Sequence, residues 1–336
     1  MLRANEKVLS MQPTARQRLW MYETMVKSRQ FDDSLNNLYL EGKLPVFDFG
    51  AGPLPGELHP SNGQEPCAVG VCVHLGPEDF VGTGHRPHHV AVARGVELPA
   101  MAAEILGRKT GLSGGRGGHM HIYDRRVNFA SSGIIAEGMG PAAGYALSRK
   151  LEKKSGVAVC YIGDGAANQG AFHEVLNLAS IYRLPFVCII EDNGWAVTVP
   201  KSYSTAVAHN SDRAAAYGMP GEYVEGNDPD LIFASAARAI ERARSGGGPT
   251  LLELQTVRLR GHYIPDTLDY VPKTEREGYV DPVPRYRERL VAEKVMTVDE
   301  AERIDARAGE LVDAAMNFAK SSDYPRPEEA LERVFA

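Results

Sequence analysis

The sequence predicts an α/β protein built on a parallel sheet with helices on both faces. Three observations carry that reading. Val157–Ile162 (VAVCYI) and Phe186–Glu191 (FVCIIE) are short, nearly all-apolar runs, the pattern of strands buried on both faces. Gly170–Tyr182 between them has helical periodicity and stops near Pro185. That order is a βαβ unit, so the two strands are expected to be parallel with a right-handed crossover. Each strand ends in a glycine-flanked polar turn, Gly163-Asp164-Gly165 and Asp192-Asn193-Gly194.

The rest of the chain fills in around that unit. Thr14 is placed to cap a helix over Ala15–Leu40, where Leu19, Tyr22, Met25, Val26, Leu35, Leu38 and Tyr39 recur near helical spacing. Leu44–Asn62 reads as a long loop rich in proline and glycine, and such loops are usually functional. Helical patterns return at Glu65–Leu75 and Pro99–Gly107, before the glycine-rich stretch Gly111–Gly118. A helix over Asp230–Arg244, a Gly-Gly-Gly-Pro break and a strand over Thr250–Val257 follow. From Asp281 the chain is charged and helical. We therefore expect one domain over residues 1–336, with a helical arm (1–42) and a helical tail (281–336) as parts of it.

Composition narrows the function. The 336 residues are 43% hydrophobic and 24% charged, which excludes a disordered chain, a collagen-like fibre and a coiled coil. Glycine contributes 34 residues, about one in ten against a usual ~7%, which favours many tight turns or close approach of backbone to a ligand. The net charge of −6 gives no reason to expect a nucleic-acid or anionic-membrane partner. No apolar run reaches the ~18 residues of a membrane span, and the first twenty residues lack a secretory apolar core. Cys67, Cys72, Cys160 and Cys188 form no CxxC pair, so reduced thiols and a cytoplasmic location are expected.

Ligands of an open parallel sheet bind beyond the carboxyl ends of its strands. Asp164 and Asn193 stand at two such ends, 29 positions apart in sequence. A carboxylate with an amide oxygen suits Mg²⁺, which keeps waters and takes phosphate oxygens as well. Gly165 admits close backbone approach, and the helix from Gly170 offers N–H groups nearby. One reading is thus a Mg²⁺-bridged diphosphate. A dinucleotide site is a second, with Glu191 as the ribose-binding acid, although Asn168 replaces the third glycine and the interval exceeds the usual ~20 residues. A structural turn is the third. His85, His88 and His89 fit no zinc spacing, and His88 reads equally as a hydrogen-bonded structural residue. His173 reads as packing, and His119 and His121 as loop histidines for which facing the ligand is one of two open readings.

The string GDGAANQGAFHEVLNLASIYRLPFVCIIEDNGWAV, beginning at Gly163, resembles the alpha subunit of the thiamine diphosphate-dependent decarboxylating component of 2-oxo acid dehydrogenase complexes, of the pyruvate and acetoin type. NGQEPCAVG at Asn62–Gly70, GHRPHHVAVARG at Gly84–Gly95, GRGGHMHIYD at Gly115–Asp124 and the segment Arg258–Asp266 recur in the family's order. The resemblance implies a thiamine diphosphate fold and specific roles. Asp164, the Asn193 side chain and the Trp195 carbonyl match the Mg²⁺ ligands, so that the Trp195 side chain itself would matter little. Gly165, Ala166 and Arg86 match the diphosphate site, and Gly133 and Ile135 the aminopyrimidine site; His85 matches a cofactor-binding position where many relatives have Tyr and acetoin-type members have His. His262 matches a cofactor-side histidine implicated in acyl transfer to lipoamide, and His59 one lining the substrate channel. Tyr263 stands where animal mitochondrial relatives carry a phosphorylated serine, so that control is not expected.

The implied function is cleavage of a 2-oxo acid such as pyruvate, the acyl group passing to a lipoyl-bearing acyltransferase. Acetoin, an acyloin, is the alternative donor. An NAD-dependent oxidoreductase is the reading from another class. A beta subunit is the implied partner, in an α₂β₂ assembly with thiamine diphosphate and Mg²⁺ at each α–β interface.

Overall fold

Alternation of side chains along the central strands dictates the layering. In a computed structural model describing residues 12–43, 48, 50–54 and 56–332, the strands are β1 (Phe80–Thr83), β2 (Tyr123–Asp124), β3 (Phe129–Ser131), β4 (Ala158–Gly163), β5 (Phe186–Asp192), β6 (Trp195–Ala196), β7 (Val199–Pro200), β8 (Gly221–Val224) and β9 (Thr250–Gln255). Seven form one sheet in the order β2-β3-β1-β4-β5-β9-β8, and β6 and β7 form a small antiparallel ribbon. Every neighbouring pair in the large sheet is parallel except the edge pair β2–β3. The β4–β5 register pairs Ala158 with Phe186 and Gly163 with Glu191, as the βαβ reading requires.

The helices are α1 (Ala15–Leu40), α2 (Glu65–Cys72), α3 (His88–Arg94), α4 (Leu98–Ile105), α5 (Met139–Leu151) and α6 (Gly170–Ile181). Then come α7 (Lys201–Ser204), α8 (Pro229–Arg244), α9 (Lys273–Glu277), α10 (Pro282–Ala292) and α11 (Val298–Ser321). Val157, Val159 and Tyr161 enter one core with α1–α4, α8, α10 and α11. The alternate residues Ala158, Cys160 and Ile162 enter a second core with α5 and α6. Two cores, one on each face, leave no polar face on the central strands. Burying each large apolar side chain contributes about 1.5–3 kcal/mol.

Helix ends follow local chemistry. The Thr14 hydroxyl accepts the Gln17 N–H while the Gln17 side chain accepts the Thr14 N–H, closing a capping box on α1. Thr297 and Glu300 do the same for α11, which packs along α1. Four sheet strands lie outside the sequence expectations: β1, β2, β3 and β8. They are two to four residues long, too short for a period to register; β1 also passes through Gly82, and β8 is the polar GEYV. Helix α5 was masked by Gly140, Pro141 and Gly144. The expected loop Leu44–Asn62 falls partly outside the described residues.

The glycine-rich stretch has a physical cause. The buried Glu104 carboxylate at the end of α4 accepts backbone N–H bonds from Ser113 (2.7 Å), Gly115 (3.0 Å) and Gly117 (2.6 Å). The loop wraps so tightly that a Cβ on Gly115, at φ +77°, would stand 2.4 Å from the Gly107 carbonyl carbon. Glu104→Ala removes three charge-assisted bonds at once and should lower stability by about 2–3 kcal/mol. Urea denaturation measures it, with faster hydrogen exchange expected over residues 111–119; a loss well under 1 kcal/mol would contradict the anchoring role.

Candidate functional site

Five parallel strands, β3, β1, β4, β5 and β9, end at the same edge of the sheet, and the segments that follow them line one cavity. Its volume is about 420 Å³, in the range of a small-cofactor pocket. The eleven residues matched to the family's cofactor, metal and channel positions all line it: His59, His85, Arg86, Gly133, Ile135, Asp164, Gly165, Ala166, Asn193, Trp195 and His262.

Asp164 follows β4 and is almost wholly buried, yet its Oδ2 has no hydrogen-bond partner among the described residues. Burial, and then the nearby Asp192 carboxylate, push its pKa up to about 7. A buried carboxylate in that condition calls for a cation. Gly165 lets the turn close, because a Cβ there would lie 2.5 Å from that of Ala196. Asn193 follows β5; its Nδ2 donates to Gln64 Oε1 (3.0 Å) and its Oδ1 accepts the Trp195 N–H (3.2 Å).

Arg86 presents the opposite problem. Its guanidinium is buried, donating to the carbonyls of Pro60 (2.7 Å) and His262 (2.7 Å), and among the described residues it pairs with no carboxylate. Burial, then the neighbouring Arg258, bring its pKa down to about 9. Arg258 is also buried and without an ion pair among the described residues, donating to the Val197 carbonyl (3.1 Å) and the Tyr270 hydroxyl (2.5 Å). Two uncompensated guanidinium groups beside one uncompensated carboxylate suit an anion bound through a metal.

Histidines form the other wall. His59 Nδ1 donates to the His262 carbonyl (2.7 Å), and Arg86 donates to His262 Nδ1 (3.1 Å), which puts the neutral ring's proton on Nε2. Burial, then Arg86, lower the pKa of His59 to about 4 and that of His262 to about 3; His85 is also well below its ordinary value, mainly through burial. Ring nitrogens of His59, His85 and His262 lie within 4.8 Å of one another. With Arg86 already against His262, the cluster favours neutral hydrogen-bonding imidazoles over a second metal ion.

Several expectations need adjusting. His119 is buried behind His59, ring centroids 5.4 Å apart, while His121 is exposed; neither lines the cavity, but Met120 between them does. His88 is structural, its Nδ1 2.6 Å from Asp32 Oδ1. His173 is not packed. Phe172, Leu176 and Ala179 make the buried face of α6, which leaves His173 on the solvent side, hydrogen-bonded to the Tyr217 hydroxyl. The Trp195 side chain does matter locally: its Nε1 donates to Glu275 (2.8 Å) and its ring lies 5.4 Å from Tyr270. Sequence reasoning assigned no role to Gln64 or Arg258. Glu191, the acid a dinucleotide ribose would need, is engaged 2.5 Å from the buried His89.

Comparison with known proteins agrees with this geometry. The family model described as dehydrogenase E1 component matches residues 49–328. The alpha subunit of acetoin:2,6-dichlorophenolindophenol oxidoreductase from Bacillus subtilis (strain 168) is 40% identical over 326 residues, covering 96% of this chain and 94% of the relative. The pyruvate dehydrogenase E1 component subunit alpha of Porphyra purpurea is 34% identical over 328 residues, covering 95% and 92%. That of Rhizobium meliloti (strain 1021) is 34% identical over 308 residues, covering 90% and 86%. The chain belongs to the dehydrogenase E1 component family, whose enzymes depend on thiamine diphosphate.

Proposed function

We propose that this chain is the alpha subunit of a thiamine diphosphate-dependent dehydrogenase that cleaves a 2-oxo acid such as pyruvate and passes the acyl group to lipoamide. The observation that carries the reading is the buried Asp164 carboxylate, whose Oδ2 has no hydrogen-bond partner among the described residues, set in one cavity with Arg86, which pairs with no carboxylate among them. In this reading Asp164, the Asn193 side chain and the Trp195 carbonyl would hold Mg²⁺, Arg86 and the backbone of Gly165 and Ala166 would meet the diphosphate, and His85 would contact the cofactor. The backbone of Gly133 and Ile135 faces the aminopyrimidine. When bound, the cofactor supplies the nucleophile and the electron sink for carbon–carbon cleavage.

The chain's own groups do the rest. Arg86 neutralises diphosphate charge in a desolvated setting. His262 and His59, held neutral, offer hydrogen bonds at the cavity wall, where His262 serves acyl transfer and His59 lines the substrate channel. Acetoin is the second donor, and the greater identity to the Bacillus acetoin enzyme, 40% against 34%, favours it. The relatives' names designate alpha subunits, which implies a partner of another kind. Exposed apolar residues at the cavity wall, Ile134, Ile135 and Val197, suit coverage by that partner. The full assembly in this reading is α₂β₂ and serves a lipoyl-bearing acyltransferase. A reducing, cytoplasmic setting suits four free, buried cysteines; among the described residues no helix is long and apolar enough to cross a membrane.

Two outcomes test the reading. The isolated chain should turn over neither pyruvate nor acetoin with an artificial electron acceptor, and activity should appear on assembly with the beta chain. There, His262→Ala should spare the artificial-acceptor reaction more than transfer to lipoamide. Turnover by the pure isolated chain, or equal losses in both assays, would refute the assignment. The second concerns pH. His59 and His262 titrate below the ordinary value of 6.5 in the fold, so the stability they contribute is complete above pH 6.5. It is lost as pH falls toward about 4 and about 3. The urea midpoint should therefore drop between pH 6.5 and 4, and the double variant His59→Gln, His262→Gln should flatten that drop. An unchanged slope in the double variant would contradict buried neutral imidazoles.

A further inference from the structure

The turn that would present Asn193 and the Trp195 carbonyl is bracketed by one side chain outside the cavity lining. Lys201 opens the short helix α7 just after the β6–β7 ribbon. Its ammonium pairs with Asp192 at the end of β5 and with Glu253 Oε1 on β9 (2.6 Å). Its backbone N–H donates to the Gly194 carbonyl (2.8 Å). Lys201 thus grips the residues immediately before and after Asn193.

The neighbours make this grip hard to replace. Glu253 is fully buried, and its second oxygen accepts the Ser211 N–H (2.8 Å). Asp192 is buried as well; its Oδ1 accepts the Gly194 N–H (3.1 Å) and its carbonyl accepts the Thr256 N–H (2.9 Å). Among the described residues no other cation pairs with either carboxylate. Without Lys201 the two carboxylates share a desolvated space and repel, and the turn keeps only its backbone tie to β9.

We infer that Lys201 is a positioning residue for the metal-binding turn, fixing the β5 end, the ribbon and β9 as one unit so that Asn193 is preorganised beside Asp164. This rests on the cofactor reading above. Groups that orient metal ligands from behind typically change metal affinity by about 10–100-fold when removed, and a carboxylate-gripping lysine whose backbone also holds the next turn fits that description.

The test uses the enzyme assembled with its beta chain. Mg²⁺ affinity is measured by calorimetry at saturating thiamine diphosphate, and hydrogen exchange is followed over residues 192–196. Lys201→Met alone leaves two buried carboxylates uncompensated and risks misfolding, so the decisive variant is Lys201→Met with Glu253→Gln, which restores the local net charge. The expected result is a folded enzyme with faster exchange over residues 192–196 and Mg²⁺ bound about tenfold more weakly or worse, with Lys201→Arg recovering most of the affinity. Affinity within about twofold of wild type in the charge-matched variant, with unchanged exchange, would overturn the inference and leave Lys201 as charge balance only. If wild-type enzyme shows no Mg²⁺-dependent cofactor binding, the cofactor reading itself fails and this inference falls with it.

Discussion

At the carboxyl edge of the sheet, a buried carboxylate and two buried guanidinium groups form no ion pair among the described residues. Leaving Asp164, Arg86 and Arg258 in this state costs folding free energy, because each has lost water and gained no counter-ion. Parallel topology makes the arrangement possible: it gathers the ends of β3, β1, β4, β5 and β9 at one edge, where no strand continues to cover them. A metal cation with an anionic ligand would satisfy all three groups together. The trade of stability for function is then local and has an identifiable place.

The surroundings contrast with the cavity. Ionisable residues packed around it are paired by charge: Arg29 with Glu65 and Asp281, His88 with Asp32, His89 with Glu191, and Lys201 with Asp192 and Glu253. These pairs tie α1, α2 and α3 to one another and to the strand ends, so the unsatisfied groups are held on a rigid frame. For His89 the carboxylate of Glu191 outweighs the burial that would lower its pKa, so the ring is raised above its ordinary value, opposite to the cavity histidines. The difference is one of partners, since the cavity histidines face Arg86.

Much of this was legible in the sequence, for reasons that can be traced. The central βαβ unit announced itself because strands buried on both faces are apolar throughout, and α1 because Thr14 and a helical stripe coincide. Chemistry-bearing turns were legible because glycine and polar residues interrupt those runs abruptly. What stayed hidden depends on tertiary context. β1 and β3 are too short for periodicity, although the loops that follow them carry His85, Arg86 and Gly133. Gln64, Arg258 and Lys201 acquire their roles only when segments far apart in sequence meet, as Gln64 does with Asn193. His173 was misplaced because a helix of twelve residues with apolar neighbours on several faces does not fix its own orientation. The dinucleotide reading fails on a contact no spacing could reveal, the engagement of Glu191 by His89.

The central claim is that the cavity's unmatched charges are a cofactor site for a metal-bridged diphosphate. Isothermal titration of the assembled enzyme with thiamine diphosphate, with and without Mg²⁺ and against NAD, tests it directly when repeated on Asp164→Ala. The account requires saturable thiamine diphosphate binding that depends on Mg²⁺, is lost in the folded Asp164→Ala enzyme, and has no counterpart with NAD. Thiamine diphosphate binding of near-normal affinity in Asp164→Ala, or NAD binding in place of it, would contradict the account.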